Sequence, residues 1–78
     1  MEDFIEKKQR IVNTFNQYIM QETSKEEFIQ KIQEFSKDVE LGQIQLFNSI
    51  FQEILTSIDE LTLKEIKQRK LMIESFIY

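Results

Sequence analysis

Between Ile44 and Leu61 the apolar residues Ile44, Phe47, Phe51, Ile54, Ile58 and Leu61 are separated by 3, 4, 3, 4 and 3 positions. Residues three and four apart share a helix face, so this alternation lays one apolar stripe along a helix for about two and a half heptads. Further apolar residues at Leu46, Ile50, Leu55 and Leu63 widen the stripe. No Lys or Arg lies between Leu41 and Thr62. An arc this wide predicts the most buried helix of an all-α protein.

The same periodicity predicts three more helices. A first runs from about Asp3 to Glu22, with Phe4, Ile5, Ile11, Val12, Phe15, Ile19 and Met20 inward and Tyr18 at the rim. Ser24 followed by Glu27 has the spacing of a capping box, as does Thr23 with Glu26 one residue earlier. A second helix follows to about Asp38, with Phe28, Ile29, Ile32, Phe35 and Val39 on one face. The single glycine, Gly42, can take a positive φ and end a helix, so a tight turn is expected within 37–43; a continuous helix from 25 to 59 is the alternative. Thr62 and Glu65 form another capping box and open the last helix, with Leu63, Ile66, Leu71, Ile73, Phe76 and Ile77 as its apolar positions. Connections of two to six residues make neighbouring helices antiparallel, which predicts a compact up-down bundle of about four helices in one domain over 1–78.

Composition narrows the chemistry. A 78-residue chain buries only roughly 60% of the surface its unfolded form exposes. Yet 41% of these residues are apolar, twelve Ile and seven Phe among them. There is no Cys, hence no disulfide staple and no thiolate metal site, and no His, the commonest metal ligand and general base. Oligomerisation is the stabilising device left to so small a domain. The first residues lack the apolar core of a signal peptide, and no apolar run approaches membrane-spanning length, so a cytoplasmic protein is expected. A net charge of −4 disfavours a general nucleic-acid binder.

No catalytic constellation, cofactor motif or metal set emerges, and no enzyme is expected. Without His or Cys, the usual activating partners of a nucleophile are missing. One glycine cannot build a phosphate-cradling loop. The carboxylate pairs Glu2-Asp3, Glu26-Glu27 and Asp59-Glu60 fall at helix starts, where negative charge complements the helix dipole. Lys64, Lys67, Arg69 and Lys70 concentrate positive charge near the last helix, and Lys7, Lys8 and Arg10 on the first; both clusters read as solvated surface.

The segment from Leu71 to Tyr78 stands out, because six of its eight residues are apolar. Leu71, Met72 and Ile73 are consecutive, so they point about 100° apart and cannot share one buried stripe. Phe76, Ile77 and Tyr78 repeat the difficulty. These six residues, Leu71, Met72, Ile73, Phe76, Ile77 and Tyr78, are therefore the expected partner-binding surface, against a second copy or a different protein. The chain reads as a small acidic interaction module, dimeric and able to regulate or inhibit another macromolecule, as antitoxins, immunity proteins and phage or plasmid regulators do. The rival readings are a dimeric nucleic-acid-binding regulator using the Lys64–Lys70 face, and a purely structural self-assembling helical oligomer.

Overall fold

Four side chains set helix starts by accepting an otherwise orphaned backbone amide. Asp3 accepts from Glu6 N at 2.9 Å, Ser24 from Glu27 N at 3.1 Å, Asp38 from Leu41 N at 3.1 Å and Thr62 from Glu65 N at 3.2 Å. At Thr62 the box is reciprocal, since Glu65 Oε1 accepts from Thr62 N at 3.1 Å. The computed structural model describes residues 3–77, which hold five α-helices and no strand. These are α1 (Phe4–Ile19), α2 (Lys25–Lys37), α3 (Val39–Gln43), α4 (Gln45–Ser57) and α5 (Leu63–Glu74), with a 3-10 turn at Ile58–Glu60. The protein is all-α.

The fifth helix comes from the segment around Gly42, which is neither a tight turn nor a continuation of α2. Asp38 is extended, with φ −68° and ψ 127°, and breaks the helix while its carboxylate starts the next. Ile44, at φ −82° and ψ 109°, makes a second break before α4. Gly42 lies inside α3 and its φ is not positive. Its use is close approach, since a Cβ there would meet the carbonyl oxygen of Ser36 at 3.3 Å.

α1 ends three residues earlier than expected, in a pair of hydrogen bonds that turn the chain. Glu22 N donates to Gln17 O at 2.8 Å and Gln21 N to Tyr18 O at 3.0 Å. This is the Schellman arrangement, which requires a left-handed residue after the helix. Gln21 fills that place at φ 60°, where glycine is the usual choice.

Long helices adjacent in sequence run antiparallel. Phe15 and Tyr18 of α1 pack on Phe28 of α2, with ring centroids 5.3 and 4.3 Å apart, while Arg10 lies 5.8 Å over the Phe35 ring at the other end. α2 meets α4 through Phe35 and Phe51, centroids 6.1 Å apart, and Lys25 reaches Asp59 beyond the end of α4 at 2.7 Å. α5 returns along α1, where Lys70 Nζ donates to Asn16 Oδ1 at 3.0 Å. Phe4, Phe47 and Phe76 close one end, with centroids 5.1 to 5.9 Å apart.

The stripe of α4 is the centre of the core. Phe47, Ile50, Phe51 and Ile54 are buried with Ile58, and Ile44 and Leu61 pack against them. Ile11, Val12, Phe15, Phe28, Ile32, Phe35, Leu41, Ile66 and Ile73 complete it. Three expected inward residues are exposed instead. Ile5 sits about 100° round the helix from Phe4, which takes the inner position. Met20 is the cap residue past the last turn of α1, and Val39 lies beyond the break that ends the stripe of α2.

Candidate interaction surface

The expected C-terminal surface divides in two. Ile73 is fully buried in the core and Phe76 packs on Phe4 and Phe47. Both close the protein's own interior, because the face of α5 holding Ile66 and Ile73 is the one turned toward α1 and α4. Leu71 is 55% exposed, Met72 44% and Ile77 90%. Tyr78 lies outside the described residues.

The side of α5 toward α4 is open. α5 packs chiefly along α1 and α4 along α2, so α4 and α5 leave a surface groove of about 510 Å³ lined by Leu46, Ser49, Ile50, Glu53, Arg69 and Met72. Arg69 and Glu53 bridge it. The Arg69 guanidinium, hydrogen-bonded to the carboxylate, holds the Glu53 pKa below its ordinary value against a smaller upward push from burial. The half-buried Leu46 and the exposed Met72 supply apolar edges beside this latch. Leu46 stands off the main stripe in the sequence, which is the signal that it belongs to another surface; the pairing of Glu53 with Arg69 across two helices leaves no local pattern.

Neither basic cluster forms one positive face. On α5, Arg69 turns toward Glu53 and Lys70 toward Asn16 and Glu74, the last at 3.5 Å. Lys64 and Lys67 remain on the exposed outer side. On α1 the cations join helices. Lys7 Nζ lies 3.0 Å from Asp38 and 3.3 Å from Glu40. Lys8 Nζ donates to the carbonyls of Glu74 at 3.0 Å and Phe76 at 2.9 Å, placing a positive charge at the C-terminal end of α5, where it is favoured.

A second groove, about 300 Å³ between α1 and α2, is lined by Arg10, Asn13, Thr14, Gln17, Lys31, Glu34 and Phe35. Its polar groups answer one another: Lys31 donates to Gln17 at 3.3 Å and Thr14 to the Arg10 carbonyl at 2.9 Å. Among the described residues no group of three or more acidic side chains is placed to hold a metal ion, and no helix is long and apolar enough to cross a membrane. Comparison with protein-family models, curated proteins and solved structures gives no match.

Proposed function

We propose that this chain is a protein–protein interaction module: a small acidic antiparallel bundle that regulates or inhibits another macromolecule in the cytoplasm and also pairs with itself. The observation that carries this reading is the groove between α4 and α5, with the exposed Met72 and the half-buried Leu46 at its edges. Apolar side chains left at the lip of an open groove favour a partner that covers them, and an apolar segment flanked by polar groups matches the groove and its Arg69–Glu53 bridge.

The test is site-specific photo-crosslinking in the producing cell, with a benzophenone amino acid at Met72 and, as control, at the exposed Gln30 on α2. A discrete adduct with one other macromolecule, formed from position 72 and not from 30, is the expected result. Adducts only between copies of this chain, or none, overturn the regulatory reading.

A further inference from the structure

Resting on that reading, we infer that the copy-to-copy contact is an antiparallel pairing of α5 with α5 about a two-fold axis beside Leu71. The argument is self-complementarity along one strip of the helix. Leu63, Lys67, Leu71 and Glu74 follow one another at spacings of 4, 4 and 3, so they share a strip on the side of α5 that borders α1. Leu63 is 43% exposed, and Lys67 and Glu74 are exposed as well. Lys67 has no ionic partner among the described residues, while Glu74 has only the 3.5 Å approach of Lys70.

A two-fold axis perpendicular to an antiparallel helix pair brings the same flank of each copy together. With the axis beside Leu71, the two Leu71 side chains meet at the centre. Lys67 of each copy then lies level with Glu74 of the other, which makes two symmetric ion pairs on the flank toward α1. A parallel pairing would set Lys67 against Lys67 and Glu74 against Glu74.

α1 extends the match. Ile5 lies eleven residues from Asn16, three turns along the same face, and Asn16 is the residue that bonds Lys70 of α5. Lys8 reaches the carbonyls of Glu74 and Phe76, so Ile5, one turn earlier and 72% exposed, lies past the C-terminal end of α5. There the antiparallel copy presents Leu63. The contact thus has Leu71 at its centre, Lys67–Glu74 pairs beside it and Ile5–Leu63 contacts at both ends. The groove holding Leu46 and Met72 lies on the opposite flank of α5.

Sedimentation equilibrium on the full chain decides the matter, with circular dichroism confirming that each variant is folded. Wild type is expected to dimerise at micromolar concentration, and Leu71→Glu to be a folded monomer. Lys67→Glu and Glu74→Lys should each weaken dimerisation about tenfold, because two-fold symmetry counts each like-charge contact twice. The double variant Lys67→Glu/Glu74→Lys should recover wild-type assembly. Wild type that stays monomeric at high micromolar concentration overturns the pairing, as does a dimer indifferent to Leu71→Glu or a double variant no better than the singles. None of these outcomes alters the crosslinking result expected at Met72, so the two proposals fail independently.

Discussion

Arg69 grips Glu53 with two parallel hydrogen bonds, Nε to Oε1 at 2.9 Å and Nη2 to Oε2 at 3.1 Å. The planar guanidinium matches the carboxylate fork, so both bonds form at once, and partial burial of the arginine keeps water from competing fully. A double-mutant cycle with Arg69→Met and Glu53→Gln should return a coupling of about 1 kcal/mol, the upper end for a solvent-accessible pair. Additive losses from the two single changes would mean that the bridge orders the groove without stabilising the fold.

Acid should weaken the protein through Asp38 as well as Glu53. Burial pushes the Asp38 pKa up, but the Leu41 amide and the Lys7 ammonium more than offset this and leave it below its ordinary value. Arg69 depresses Glu53 in the same direction. A carboxyl whose folded pKa is lowered binds fewer protons folded than unfolded, so its stabilisation is complete above the unfolded pKa and is lost as pH falls through the folded value. Urea midpoints should therefore be level near neutrality and decline below about pH 4.5, the ordinary carboxylate range. Asp38→Asn should lower the neutral midpoint and flatten the acid decline; an unchanged acid limb would remove Asp38 from the account.

Phe51→Ala should cost about 3–5 kcal/mol, the usual loss for a fully buried phenylalanine. Against a total stability of about 5–15 kcal/mol for native domains, that loss leaves little folded protein. Equal urea midpoints for the variant and wild type would contradict the placement of Phe51 in the core.

Gln21→Gly should stabilise the protein. A side chain at φ 60° carries a steric cost that glycine lacks, so relief of about 1 kcal/mol is expected, less the extra freedom of glycine in the unfolded chain. Thermal melts would show a rise of about 4 °C or more per kcal/mol for a domain of this size. Gln21→Val should move the midpoint the other way.

Thr23 Oγ1 is buried without a hydrogen-bond partner among the described residues. Replacing a hydroxyl in that condition with a methyl removes a desolvated polar atom at constant shape. Thr23→Val should be neutral or stabilising by up to about 1 kcal/mol. A destabilised Thr23→Val, measured by the same melts, would show that the hydroxyl makes a bond after all.

The spine at Phe47, Phe51, Ile54 and Ile58 was legible because a 3-4 spacing maps directly onto one side of a helix. Caps at Ser24 and Thr62 were legible for the same local reason. The exposure of Ile5, Met20 and Val39 is not legible in the spacing, because it depends on which residue of an adjacent pair turns inward and on where a helix stops. Consecutive residues Leu71, Met72 and Ile73 announced a conflict that local pattern cannot resolve. α1 decided it by covering Ile73, and the bridge to α4 left Met72 at the groove. The hold of Lys8 on the end of α5 leaves no local pattern, because its acceptors lie 66 and 68 residues away.

That long reach shapes how the molecule comes apart. α2 and α4 meet within a short stretch of chain, whereas docking α5 onto α1 closes a loop over most of the protein, and loop-closure entropy makes such a contact late to form. The α1–α5 seam is therefore the natural hinge of partial opening. When it parts, buried side chains of α1 and α5, Ile73 among them, meet water together, and the helix proposed to pair with its copy is the one set loose. The proposed association through α5 would then need no separate signal to depend on the folded state, since Lys8 and Asn16 both hold α5 against α1.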